Sequence, residues 1–215
     1  MYQIRVHGRG GQGVVTAAEL IAWAAIYDGH HALAFPSFGS ERTGAPVEAY
    51  CRIDDAPIRS REPVDVPDAV LVLDATLLNR AGTFQGLRPD GLALVNSAAS
   101  LHVTEVPQLR TVPATRIALA RTGRALPNVP MLGAFAAASG KVSLEAVHTA
   151  IELRFPGPMA RVNLDGADEA YLLLTAASSE MEAVEFDVPT ALAAERGAVE
   201  VEPAYSVAVE GAWDD

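Results

Sequence analysis

His7-Gly-Arg-Gly-Gly-Gln-Gly13 puts four glycines, a cation and an imidazole into one short segment near the start of the chain. Backbone N–H groups left bare by glycine can close on an anion, and a helix N-terminus adds about half a positive charge. Gly8, Gly10 and Gly13 satisfy G-x-G-x-x-G in the context that pattern needs, after the apolar run Tyr2–Val6 and before an Ala-rich helical pattern from Val14. The chemistry implied is phosphate binding, by the backbone of Gly8, Gly10, Gly11, Gln12 and Gly13 with charge from Arg9. The alternative is a tight turn whose glycines only let strand and helix pack closely. A second polar segment, Ser37 to Gly44, contains Ser40, Arg42 and Thr43. Arg42 can fork onto a phosphate while the two hydroxyls donate to its oxygens. A structural loop pinned by an Arg–Glu pair is the competing reading there.

Other chemistries find less support. A nicotinamide dinucleotide site calls for an acid about 20 residues past the glycines. Here the second apolar run, His31-Ala-Leu-Ala-Phe35, passes into Pro36-Ser37 without one, which favours a different phosphorylated ligand. There is no Gly-Lys-Ser or Gly-Lys-Thr for a Walker loop and no G-x-S-x-G elbow. The single cysteine, Cys51, sits mid-strand as packing and excludes an internal disulfide and any multi-cysteine cluster in the chain. His30 and His31 are adjacent and point to opposite sides of an extended segment, and His102 and His148 lack ligand-type companions. His7 reads as an imidazole hydrogen-bonded at a strand end, with contact to a ligand as the alternative.

The elements that must position these residues alternate. Strands are expected at Tyr2–Val6, His31–Phe35, Val47–Ile53, Ala69–Leu73 and Gly91–Asn96. Helices are expected at Val14–Tyr27, Thr115–Arg121, Pro130–Ser139, Ser143–Arg154 (with Ser143 as N-cap) and about Leu164–Ala177. This is an α/β pattern: a single doubly wound, mainly parallel sheet flanked by helices, with ligands at the carboxyl ends of its strands. The loop after the second strand is expected to lie beside the glycine loop. At 215 residues one such domain suffices, over 1–177.

Residues 178–215 carry ten acids against the one base Arg196, leaving only −2 of the formal −11 on residues 1–177. This acidic C-terminal extension also holds Val199-Glu-Val-Glu202 and Val207-Ala-Val-Glu210, whose alternation fits an extended arm lying on a partner. No basic face points to nucleic acid, no apolar stretch is long enough to cross a membrane, and Met1 leads directly into a strand. A cytoplasmic location is expected.

Four segments in order, His7–Gly13, Ala34–Pro46, Leu73-Asp-Ala-Thr-Leu77 and Asn128-Val-Pro-Met-Leu-Gly133, resemble the gamma subunits of the 2-oxoacid:ferredoxin oxidoreductases. The family often has lysine where Glu19 stands and arginine where Thr43 stands. The resemblance implies a complex that forms acyl-CoA and CO2 from a 2-oxoacid and coenzyme A. It places thiamine diphosphate and Mg2+ on catalytic alpha- and beta-type partners, and iron–sulfur clusters on a ferredoxin-like partner. This chain is then non-catalytic, helping to bind coenzyme A through the glycine loop, Arg9, Ser40, Arg42, Thr43 and Asn128. A purely structural bridging subunit and an NAD-binding oxidoreductase domain are the alternatives.

Overall fold

The computed structural model describes residues 1–37, 44–80, 82–101, 103, 106 and 108–185, with side chains as far as 177. In chain order the elements are β1 (Tyr2–Arg9), α1 (Val14–Tyr27), β2 (His31–Pro36), β3 (Pro46–Asp54), β4 (Ala69–Val72), a 3-10 turn (Ala75–Asn79), β5 (Leu92–Asn96), β6 (Leu109–Val112), α2 (Ala114–Thr122), α3 (Asn128–Ser139), α4 (Leu144–Arg154) and α5 (Pro158–Glu185). The sheet order is β2-β3-β1-β4-β5-β6. The pairs β1–β4, β4–β5 and β5–β6 are parallel, whereas β3 is antiparallel to both β1 and β2. Five strands therefore share one direction and β3 alone is reversed, so the sheet is mixed but mainly parallel, as expected.

The chain winds outward from β1 both ways. α1 leads from β1 towards the β2 edge, and the 3-10 turn leads from β4 towards β6. The topological switch point thus falls between β1 and β4, where open α/β sheets bind ligands beyond their carboxyl ends.

Alternation along the strands decides the layers. Ile4, Val6, Leu71 and Leu94 join α1, α2, α3, α4 and α5 in one large apolar core. Arg5 and His7, between them in β1, face the other way, as do Val70, Val72 and Val95. Among the described residues no α-helix packs on that second face; the 3-10 turn and the segments around Val64 and Phe84 cover it. Arg5 ties these segments down, donating to the carbonyls of Val64, Thr83 and Gln85, and Arg52 does the same for Ser60 and Glu62.

Several boundaries differ from the sequence expectation. β1 runs on through Gly8 and Arg9, because both keep ladder partners in Val47 and Pro46. β6 and the 3-10 turn are additional elements. α5 starts at Pro158, whose missing N–H is harmless in a first turn, and it continues to Glu185 through the position proposed as the domain boundary. Ser143 does cap α4, accepting from Ala146 N at 3.0 Å. The proposed arm segments of residues 199–210 lie outside the described residues.

Candidate functional site

The carboxyl ends of β1 and β4 bring two loops together. Gly13 takes the left-handed conformation at φ 78°, which turns the chain into α1 and leaves the helix without a side-chain cap. A Cβ there would also strike the Asn128 amide, at 2.6 Å from Nδ2. Gly8 serves packing, since a Cβ on it would sit 2.5 Å from Val14 Cγ2. The close-packing role considered for the glycines therefore applies to Gly8 and, against Asn128, to Gly13, whereas Gly11 has open space around it and shapes the loop.

Hydrogen bonds divide that loop's donors in two. Arg9 N donates to Gln12 Oε1, Gly10 N to Ala45 O and Gln12 N to Arg9 O. The first bond of α1 is Ala17 N to Gly13 O, so among the described residues the N–H groups of Gly11, Gly13, Val14, Val15 and Thr16 meet no protein acceptor. Arg9, these five residues and Val47 are among those lining an open cleft of about 290 Å³. Asn128, buried at the start of α3, presses against Gly13, and its amide has no partner among the described residues. A row of unpaired donors at the positive end of a helix is suited to an anion.

Asp74 is the residue that motif reading left without a role. Its Oδ2 accepts from Arg9 Nε at 3.1 Å and Gln12 Nε2 at 2.9 Å, and its Oδ1 accepts from Thr76 N at 3.0 Å and Thr76 Oγ1 at 2.6 Å. Burial would raise its pKa, but the hydrogen bonds from Thr76 and Gln12 and the Arg9 charge outweigh it and hold the carboxyl below its usual range. Arg9 also donates from Nη1 to Gly44 O at 3.1 Å and from Nη2 to Thr76 Oγ1 at 2.8 Å. The signal was present in sequence: an Asp-x-Thr directly after an apolar strand is a capping pattern at a strand's carboxyl end.

The loop after β2 does reach the glycine loop, by a different path from the one expected. β3 separates β2 from β1, and contact is made at the loop's far end, by Gly10 N to Ala45 O at 2.8 Å and Gly44 N to Gly10 O at 3.2 Å. The same order removes β2 from beside the glycine loop, where a dinucleotide's ribose acid would stand. Ser40, Arg42 and Thr43 lie outside the described residues.

His7 lies on the helix-free face. Arg5 Nε donates to its Nε2 at 3.0 Å, so the ring proton is on Nδ1, 3.5 Å from Glu48 Oε1. Burial, with the Arg5 charge, pushes this imidazole down to about 4 against the pull of Glu48. It is a neutral, strand-end histidine. With Arg5, Ser37, Glu48, Tyr50 and Arg80 it lines a second, polar cavity of about 640 Å³. Cys51 is fully buried, and burial pushes its thiol up, so it packs rather than reacts. His30 pairs with Asp55 and His148 with Asp168, and among the described residues no three metal-ligating side chains converge.

Comparison with known proteins bears on this arrangement. The model of the family described as pyruvate ferredoxin/flavodoxin oxidoreductase matches residues 3–173. The chain belongs to that family. Pyruvate synthase subunit PorC of Methanothermobacter marburgensis is 48% identical over 171 residues, covering 80% of this chain and 96% of the relative. The crystal structure of pyruvate oxidoreductase subunit PORC from Thermotoga maritima matches with a TM-score of 0.71 and 38% identity, over 80% of this chain and 95% of that one. The fold recurs at 18% identity and a TM-score of 0.66 in 2-oxoglutarate:ferredoxin oxidoreductase from Magnetococcus marinus, solved with 2-oxoglutarate, coenzyme A and succinyl-CoA. That match covers 81% of this chain and 31% of the longer one. The chain is thus a gamma-type subunit of a pyruvate or related 2-oxoacid:ferredoxin oxidoreductase. No helix among the described residues is long and apolar enough to cross a membrane.

Proposed function

We propose that this subunit binds a phosphate-bearing part of coenzyme A at the N-terminus of α1, while partner chains carry out the redox chemistry. The observation that carries the reading is the set of unpaired N–H groups of Gly11, Gly13, Val14, Val15 and Thr16 beside the Asn128 amide. A helix N-terminus left uncapped in this way lacks an acceptor, and a phosphate supplies several. Arg42, Ser40 and Thr43 complete the site from the loop that ends at Gly44. Bound there, coenzyme A presents its thiol as the acceptor of the acyl group; this chain holds and orients it. Thiamine diphosphate with Mg2+ resides on alpha- and beta-type partners and the iron–sulfur clusters on a ferredoxin-like one, in a cytoplasmic complex.

Thr16→Asp separates ligand binding from structural support. A carboxylate in the first turn favours the helix by roughly 0.3–1 kcal/mol, yet it repels a phosphate. The assembled complex should therefore keep its thermal midpoint and its KM for the 2-oxoacid, while the calorimetric Kd for coenzyme A rises about tenfold or more. Arg42→Ala should raise the coenzyme A constant in the same way, since a charged contact is worth about 1.5–3 kcal/mol. If neither variant moves it, the subunit is a bridge without a ligand.

A further inference from the structure

α1 and α4 begin in opposite ways, and the difference singles out Thr16. α4 is closed at its N-terminus: Ser143 accepts from Ala146 N, and Glu145 places a carboxylate in the first turn. α1 has neither a side-chain cap nor an acid in its first turn. The third residue of α1 is Thr16, which lines the cleft together with Gly11, Gly13, Val14 and Val15. Cα–Cβ bonds in an α-helix tilt towards its N-terminus, so Thr16 leans over the end where the unpaired N–H groups lie.

The Thr16 hydroxyl is also set apart from those of the other helical serines and threonines with described side chains. Such a hydroxyl commonly donates back to the carbonyl four residues earlier. Thr122 does so to Ala118 O, Ser139 to Phe135 O, Thr149 to Glu145 O and Thr175 to Tyr171 O, at 2.7–3.1 Å. Thr115 Oγ1 accepts from Asn96 Nδ2. Thr16 Oγ1 has no partner among the described residues. Asn128 behaves alike: the residue is only 7% exposed and its amide lies against Gly13, yet that amide has no partner among them either. No buried side-chain polar atom among the described residues is left without a hydrogen bond, so both groups reach open space. For Thr16 that space is the cleft at the positive end of α1.

We propose that Thr16 is a direct ligand of coenzyme A, its Oγ1–H donating to a phosphate oxygen that the N–H groups of α1 also hold. The inference rests on the coenzyme reading above and adds a side chain to it. A hydroxyl is a neutral donor whose hydrogen rotates, so it follows an oxygen that fixed N–H groups do not reach. It also accounts for the missing acid, since a carboxylate at this position would favour the free helix and repel the ligand. Asn128 brings amide donors to Gly13 from the other helix.

The test separates the hydroxyl from the helix end. Thr16→Val keeps the branched shape and removes the hydroxyl, whereas Thr16→Ser keeps the hydroxyl. In the assembled complex, calorimetry and steady-state kinetics should show Thr16→Val raising the coenzyme A Kd and KM about tenfold, the scale of one hydrogen bond to a charged acceptor. Thr16→Ser should restore both to within about twofold of wild type. In Thr16→Val the 2-oxoacid KM, and kcat at saturating coenzyme A, should change by less than about twofold, a split that a loosened helix would not give.

Unchanged coenzyme A binding in Thr16→Val, or a loss in Thr16→Ser as large as in Thr16→Val, would overturn the inference. A 2-oxoacid KM that rises in step would overturn it too, by assigning Thr16 to structure. Should Thr16→Val fail to assemble, Thr16→Ala decides the question, because it removes the hydroxyl with the best helix former. Thr16→Asp tells the two failures apart. If it weakens binding while Thr16→Val does not, only the hydroxyl is misassigned; if it too has no effect, the coenzyme reading itself fails.

Discussion

The two faces of the sheet are built on different terms. Under the helices, Ile4, Val6, Leu71 and Leu94 interlock with Phe135, Ile21 and Ile151, and the layer is held by volume and apolar area. On the other face the same strands present Arg5, His7 and Arg52, all buried, and the cover is made of loops. Loops bring carbonyls that have no ladder to join, and a buried guanidinium, with five donors, satisfies several at once. The helical face therefore tolerates little change in shape, whereas the loop face depends on hydrogen-bond accounting and keeps a polar cavity above β1. Both layers meet at the carboxyl ends of β1 and β4, where the candidate site lies.

Phe135, fully buried in α3, gives the largest expected contrast. Phe135→Ala should lower unfolding stability by about 3–5 kcal/mol, from lost transfer energy and the cavity left behind. Denaturant titration reads this directly, and a loss below 1 kcal/mol would mean that the helical layer collapses freely.

On the loop face the effect takes the form of a pH dependence. His7 titrates near 4 in the folded chain and near 6.5 when unfolded, so between those values the unfolded chain binds the extra proton. Its contribution is fully present above about pH 6.5 and is lost as the pH falls towards 4, reaching about 3 kcal/mol. His7→Asn should flatten that stretch of the stability profile relative to wild type; an unchanged slope would show that His7 is not the group responsible.

The smallest effect, about 1–3 kcal/mol, is expected for Arg5→Met, which keeps the apolar stem but strands the carbonyls of Val64, Thr83 and Gln85. The same change removes a charge that holds the His7 imidazole down, so the His7 part of the acid slope should shrink with it. A variant more stable than wild type, with the slope intact, would mean that the loop face is held by its apolar contacts, such as those of Val64 and Phe84.

Much of the architecture was legible in the residues. Ile4-Arg-Val6 alternates, α1 shows its apolar spacing from Val14 to Tyr27, and the Ser143 cap was readable as a hydroxyl before an apolar period. β6 was not, because Leu109-Arg-Thr-Val112 is four residues with two polar side chains and becomes a strand only by pairing with β5. α5 was legible only in its middle, since its start rests on a tolerated Pro158 rather than on a capping side chain. The end of β1 was misjudged for a related reason: Gly8 and Arg9 read as loop, yet β3 supplies them with ladder partners.

The amino-acid sequence by itself determined the strand–glycine–helix unit, the alternation of elements and the family, because propensity, period and turn chemistry are local properties. Only the tertiary structure decided which glycine packs and which opens a donor row, since that depends on Val14 and Asn128 lying opposite them. Only it decided that Arg9 is bound to Asp74, 65 positions away, and that β3 lies between β1 and β2. Side-chain partners of that separation are set by strand order, and strand order follows from burying one shared apolar face rather than from any single segment.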